Sequence, residues 1–262
     1  MKTPHRPILA TLILCASSTA FAGPCASVAA AMGTKEGKIH DALKTALTAA
    51  VGEVKSGFDM QMWGTLVNRD GLVCAVAYSG ADRGAQWPGS RVISAQKANT
   101  ANAFSLNGFA ISTANLFSVT QPGGSLFGLQ HSNPVNTDAA YGGNGAKFGA
   151  AGDPMVGKRI GGVNVFGGGL GIYNEKKEVV GGLGVSGDTS CADHEIAWNT
   201  RNKLNLDHLA GVGGPNAKAD AARPDNIILD ITGTPAASTS GFGHPGCPNV
   251  NAEVGKFPAV KP

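Results

Sequence analysis

Aromatic residues make up only 6% of the 262-residue sequence, whereas glycine occurs 38 times. A chain so poor in large rings must build its core from aliphatic and small side chains and turn tightly many times. It also lacks any cluster of lysine and arginine. Its formal charge of +3 is too weak to mark a nucleic-acid-binding surface. There is no C-x-x-C, no H-E-x-x-H and no EF-hand loop, and the cysteines are too far apart for a zinc ribbon. No segment is apolar over the roughly 20 residues that a membrane-spanning helix needs.

The N-terminus carries a different kind of apolar run. Lys2 and Arg6 precede "ILATLILCASSTAFA", a short hydrophobic stretch ending in small residues, and Ala20 and Ala22 satisfy the A-x-A cleavage pattern. Residues 1–22 therefore read as a secretory signal peptide cut after Ala22, giving a periplasmic or secreted protein. Cys15 follows the bulky Leu14, which argues against a lipid anchor. The mature chain, about 240 residues long, suits one large or two small domains. It retains Cys25, Cys74, Cys191 and Cys247, an even number that favours two disulfides in an exported protein. Of the three connectivities, among which sequence alone does not choose, the preferred one joins Cys191 to Cys247 and Cys25 to Cys74. It would pin the C-terminal tail and the N-terminus.

Along the chain, Ile39, Leu43, Ala46, Leu47, Ala50 and Val54 form the stripe of an amphipathic helix. Two β-rich runs follow, broken at Asn68–Gly71, where Asp70-Gly71 signals a hairpin turn. Ser90 can cap a helix over the next segment, and "GFAISTANLFS" suggests a second helical piece. Residues 119 to about 160 are rich in Gly, Pro and Asn without periodicity, and read as a long loop or insertion. A second hairpin turns at Asn174–Lys177, and a last helix follows, with Ser190 and Asp193 spaced as a capping box. The tail from 207 to 262 contains one strand-like run, Ile227 to Ile231. This order implies an α+β fold with a mainly antiparallel sheet, because short turns join antiparallel neighbours.

Gly182, Gly184 and Gly187 spell a G-x-G-x-x-G. A dinucleotide fingerprint needs these glycines after a parallel strand, but the tight turn at 174–177 makes this strand antiparallel. A nicotinamide cofactor is also unexpected outside the cytoplasm. The glycines instead suit close approach of another backbone or a flat ligand. Ser186 is no hydrolase elbow, since Asp188 stands where the last Gly of G-x-S-x-G belongs.

"GGLGIYNEKKEVVGGLGVSG" (168–187), "QKANTANAF" (96–104), "VNRDGLVCAVAYSGADRGAQWPGS" (67–90) and "CADHEIA" (191–197), taken in order, resemble the GlcG/HbpS haem-binding family, also called the haem-degrading or DUF336 domain. The resemblance spans about 36–206, so that residues 23–206 would form the domain and 207–262 an extension packed on it. It implies a profilin-like sandwich of an antiparallel sheet flanked by helices, often homo-oligomeric. It also implies binding of haem or another tetrapyrrole, with peroxide-linked haem breakdown in some members. The signal peptide, the insertion near 119–160 and the tail depart from the compact family pattern.

Haem iron wants an axial donor, most often a neutral imidazole in an apolar slot. The resemblance makes His40, on the first helix, the first candidate for iron, with a solvated helix-flank histidine as the ordinary alternative. His194, at the start of the last helix, is the second candidate, and a helix N-terminus there disfavours its protonated form. His131 could close over a ligand from the loop, while His244 sits beside Cys247. Lys97 and Thr100 match the family's helix motif. Lys97 could pair with a propionate, and Thr100 could touch the iron or a water; otherwise they are a solvated charge and a helix residue bonding its own backbone. Gly184 and Gly187 could offer N–H groups to a carboxylate, or simply pack the sheet. The competing functional reading is a non-catalytic oligomeric scaffold or accessory protein that has lost or changed its cofactor.

Overall fold

The computed structural model describes residues 23–234, 236–248 and 254–262; the expected signal peptide, its cleavage point and Cys15 lie outside them. Among the described residues, five α-helices run in chain order: α1 (Ala26–Ala31), α2 (Ile39–Glu53), α3 (Ser90–Phe104), α4 (Thr137–Tyr141) and α5 (Ser190–Lys203). The main strands are β1 (Trp63–Asn68), β2 (Val73–Tyr78), β3 (Gly169–Tyr173) and β4 (Val179–Ser186). A two-residue pair, β5 (Ile231–Thr232) and β6 (Ala237–Ser238), lies in the tail.

The four main strands form one antiparallel sheet in the order β2-β1-β4-β3. Both turns act as the sequence suggests. Asn68 Oδ1 accepts from the N–H groups of Asp70 and Leu72, and Gly71 takes the left-handed conformation, φ 72°, that a side chain would resist. Asn174 Oδ1 does the same for Lys176 and Glu178.

Alternation along the strands sends side chains to two cores. Leu66, Ala75, Leu170 and Leu183 pack with Leu43 and Leu47 of α2 and with α5. The helical stripe of α2 is buried as its spacing predicts, and full burial of each large aliphatic side chain contributes about 1.5–3 kcal/mol. On the opposite face Val67, Val73 and Val76 meet α3 and the insertion through Val92, Ala95, Met155 and Ile160.

Helix α3 lies unusually close to the sheet, and the glycine motif allows it. A Cβ on Gly184 would stand 1.9 Å from the Ser94 carbonyl oxygen, and one on Gly182 2.1 Å from that of Ala98. A Cβ on Gly187 would meet the Gln61 carbonyl oxygen at 2.4 Å. Strand β4 is antiparallel to both neighbours, so the G-x-G-x-x-G is a helix–sheet packing device and not a dinucleotide cradle.

Several local expectations are corrected. Ser90 is the first helical residue, preceded by Gly89, and its side chain makes no cap; the Trp87-Pro88-Gly89 turn starts α3 through backbone bonds. Residues 114–116 and 118–120 form single 3-10 turns rather than a helix. Thr189, not Ser190, caps α5 by accepting from the Ala192 N–H; Asp193 is drawn away into a buried ion pair. Of the strand-like run 227–231 only Ile231 is in a strand. The unpatterned segment after 119 is ordered locally, with α4 inside it.

Both disulfides join the preferred partners, Cys25 to Cys74 and Cys191 to Cys247. No helix among the described residues is long and apolar enough to cross a membrane.

Candidate functional site

A cleft of about 480 Å3 opens where the insertion meets the start of α3, lined mainly by Trp63, Arg83, Pro88, Val92, Tyr141 and Phe148. That volume lies in the usual range for small-molecule sites, about 300–1,000 Å3. Trp63 is buried as β1 begins and donates its indole N–H to the Trp87 carbonyl, which fixes its ring as the floor. Tyr141 ends α4 with its side chain exposed, and Arg83 belongs to the exposed 81–85 stretch at the rim.

The wall carrying Phe148 is held by a buried charge pair. Arg91, in the first turn of α3, donates Nε–H to Asp153 Oδ2 at 2.8 Å, Nη2–H to Oδ1, and Nη1–H to the Ala140 carbonyl at 2.9 Å. Its guanidinium lies 3.7 Å from the Phe148 ring centroid, a cation–π stack. Asp153 also accepts from the N–H groups of Gly149 and Met155. A bidentate pair with its remaining lone pairs satisfied is the form in which buried charges are tolerated. This carboxylate therefore organises the middle of the insertion.

The structure separates the residues that the sequence singles out. His40, half-buried on α2, places Nε2 3.0 Å from the Gly149 carbonyl and Nδ1 3.3 Å from Asp41. It borders a smaller cleft of about 240 Å3. Residue 149 stands between His40 and the aromatic cleft, since a Cβ there would strike Tyr78 at 2.3 Å and Trp63 at 2.7 Å. His131 is exposed.

Lys97 is not a solvated charge. It is fully buried, donating to Asp193 Oδ2 at 2.6 Å and to the Val185 carbonyl at 3.0 Å, with Nζ 4.6 Å from the Phe166 ring centroid. Asp193 Oδ1 accepts from the N–H groups of Gly187 and Asp188. Burial lowers the Lys97 pKa and raises that of Asp193 to about 6, while the attraction within the pair opposes both shifts. With these contacts Lys97 has no open path to an outside carboxylate. Thr100 is equally enclosed; its hydroxyl donates to the Gln96 carbonyl, as a helix threonine commonly does, and accepts from the Asn164 N–H. Gly184 and Gly187 are buried, and Gly184 packs against α3 rather than an open slot.

His194 is fully buried. Its Nε2 accepts from the Ile227 N–H of the tail at 3.2 Å, so Nδ1 carries the proton, and that atom has no hydrogen-bond partner among the described residues. Burial, reinforced by the nearby positive charge of Arg201, holds the ring neutral with a pKa of about 3. His244, buried beside the Cys191–Cys247 disulfide, donates Nδ1–H to the Pro245 carbonyl and accepts weakly at Nε2 from the Gly167 N–H at 3.4 Å. Burial depresses its pKa to about 4. Both imidazoles are neutral, but a backbone N–H meets each Nε2 lone pair.

Trp63, Tyr141, Phe148 and the Arg91–Asp153 pair were missed. The sequence signal available was an arginine opening α3 among apolar neighbours, with an Asp-Pro in an otherwise unpatterned glycine-rich segment.

No curated protein matches the sequence. Among solved structures, the DUF336 protein ORFY of Klebsiella pneumoniae is 23% identical, with a TM-score of 0.42, over 62% of this chain and 88% of that one. A PduOC:haem complex is 22% identical at a TM-score of 0.44, covering 63% and 91%. HbpS is 13% identical at 0.38, covering 63% and 86%. The family model described as "Haem degrading protein HbpS-like" matches residues 38–201, well over half of the sequence and the whole span from α2 through β4 into α5. The chain belongs to the HbpS-like family of haem-degrading proteins.

Proposed function

We propose that the protein binds haem, or a closely related tetrapyrrole, in the aromatic cleft formed by Trp63, Tyr141 and Phe148. The cleft itself is the observation that supports this reading: a largely apolar slot of about 480 Å3 whose exposed rim carries both a cationic side chain, Arg83, and a carboxylate, Asp82. Haem is a flat apolar ring with two carboxylates on one edge, and the slot suits both parts. The 240 Å3 cleft at His40 is below the size range of such sites, roughly 300 Å3 and upward. Tyr141 carries a phenol, a donor type that holds haem iron in catalases. His40 would serve only after giving up its contact with the Gly149 carbonyl.

The bound group would supply iron that activates peroxide. The chain would hold the ring, keep water off one face through Trp63 and Phe148, and pair a propionate with Arg83. Peroxide-dependent breakdown would follow from that arrangement. Export to the periplasm or beyond belongs to the same reading, supported by two disulfides of the kind oxidising compartments maintain. Self-association would use the exposed side chains of Leu126 and Phe127.

A haemin titration of the oxidised protein tests the proposal. Wild type should show a saturable, shifted Soret band. Tyr141→Phe should change its position, Arg83→Glu should weaken binding about tenfold, the loss of one charge-assisted contact, and His40→Ala should leave the band in place. A wild-type spectrum identical to free haemin would end the haem reading and favour the scaffold reading, which sizing would then examine. A band altered by His40→Ala and untouched by Tyr141→Phe would return the site to α2.

A further inference from the structure

A second group of chemically capable side chains lies at the start of α5, separate from the aromatic cleft. Cys191, Cys247 and His244 each offer one donor atom, and these atoms all fall within 4.8 Å of one another. Cys191 is the second residue of the 14-residue α5, and its thiol is buried. His244 and Cys247 come from one short turn of the tail with the spacing H-x-x-C. In the oxidised protein the two sulfurs are joined, and their Cα atoms are 6.0 Å apart.

We propose that reduction of the Cys191–Cys247 disulfide turns this corner into a binding site for a thiophilic cation of the Zn2+ class, held by both thiolates and a ring nitrogen of His244. Four features support it. Tetrahedral Zn2+ places its sulfur and nitrogen donors roughly 3.5–3.8 Å apart, given bonds of about 2.3 and 2.0 Å, so the imidazole nitrogen needs to close on the sulfurs by only about an ångström, while the two sulfurs, joined in the disulfide, separate once it is reduced. A thiol in the first turn of a helix ionises readily, because the free N–H groups and the helix dipole favour the thiolate. The His244 ring lies against both sulfurs, and its two existing contacts, a long one from the Gly167 N–H at Nε2 and one from Nδ1 to the Pro245 carbonyl, are the ones that ligation would replace or keep. The Ser190 hydroxyl stands 3.7 Å from Cys247 Sγ and can donate to that sulfur once it is a thiolate. Two thiolates and one imidazole leave a fourth position for water.

The chemistry balances with an external dithiol as reductant. Its two thiols close to a disulfide, and the two electrons and two protons released cleave the Cys191–Cys247 S–S bond into two thiols. Cation binding then expels both thiol protons. Reoxidation would eject the cation, so the site exists in only one redox state.

Co2+ is the probe, because thiolate ligation gives it an intense near-ultraviolet charge-transfer band. The full mature chain, reduced with a phosphine that does not compete for metal, should develop this band on addition of Co2+ and lose it when Zn2+ is added. Oxidised protein should not show it. The Cys25→Ser/Cys74→Ser variant, which removes the other disulfide, should behave as wild type, and Cys191→Ser/Cys247→Ser should give no band. His244→Ala, which keeps both disulfides and can be folded oxidised before reduction, should bind Co2+ at least about tenfold more weakly. Absence of the band in reduced wild type, its persistence in Cys191→Ser/Cys247→Ser, or unchanged affinity in His244→Ala would each overturn the proposal.

Discussion

His194 and His244 are neutral in the fold for the same reason: burial denies an imidazolium its water. The unfolded chain has no such restriction and takes up a proton on each ring near pH 6.5. Below that pH the unfolded state therefore binds more protons than the folded state, and stability must fall. The contribution is complete above pH 6.5 and is lost as pH drops toward about 3 for His194 and about 4 for His244. Each unit of pH in this window is worth about 1.4 kcal/mol per ring, so acidification to pH 5 should remove about 2 kcal/mol for each. Thermal melts between pH 7 and pH 5 should show a net loss, reduced by an opposite contribution from Asp193, whose pKa of about 6 makes the folded state take up a proton in the same window. His194→Gln keeps an acceptor for the Ile227 N–H but does not titrate, so its melting temperature should fall less steeply. Parallel slopes for the two proteins would place the acid sensitivity elsewhere. Neither histidine's burial was readable from sequence. Position near a helix N-terminus suggests the surface, and only the tail folding back over α5 makes His194 interior.

At the scale of elements, two glycines in regular structure should respond oppositely to the same change. Gly184 faces the α3 backbone, and a methyl group there would overlap the Ser94 carbonyl. Gly184→Ala should force helix and sheet apart at a cost of about 1–3 kcal/mol or more. Gly52 lies in α2, and none of the described residues stands within 4 Å of where its Cβ would be. Gly52→Ala should stabilise the protein by up to about 1 kcal/mol through helix propensity. Urea unfolding of the two variants checks both signs, and a harmless Gly184→Ala would contradict the packing account. The elements legible in the sequence are those set by local chemistry. The α2 stripe has its helical period, and the two hairpins have Asn68 and Asn174 at their turns. What was illegible depends on distant partners. The Arg91–Asp153 pair that orders the insertion spans 62 positions, so no periodicity within residues 119–160 could reveal it. The cap of α5 shifted by one because Asp193 bonds Lys97, 96 positions away.

At the scale of the whole molecule, the tail is an integral layer over α5. Asp225 pairs with the buried Arg201, Trp198 donates to the Pro258 carbonyl, and Phe257 packs near the His194 and Trp198 rings. The Cys191–Cys247 bond closes this layer across a separation of 56 residues. In the chain-entropy account a loop of that size is worth about 4 kcal/mol. Cys191→Ser/Cys247→Ser should therefore lower global stability by a few kcal/mol. It should also open the 236–248 stretch to limited proteolysis well before the sheet, since the charge pair at Arg201 continues to hold the nearer part. Equal protection of tail and sheet in that variant would mean that the other contacts suffice.

Segments outside the hairpins also bond to part of each edge strand of the sheet. On β2, Val73 exchanges backbone bonds with Gly157 and Lys158; on β3, Tyr173 donates to the Leu206 carbonyl. Each hairpin can form from neighbouring residues, whereas the cover for β2 arrives some eighty positions later in the chain. During refolding the strands are thus assembled before their flanks are protected, and unpaired N–H and C=O groups are then open to other copies. The consequence is a divided solubility. The finished protein presents no free margin to recruit a neighbour along these bonded stretches, while the chain on its way there does, so recovery from denaturant should decline with concentration although the native state tolerates it.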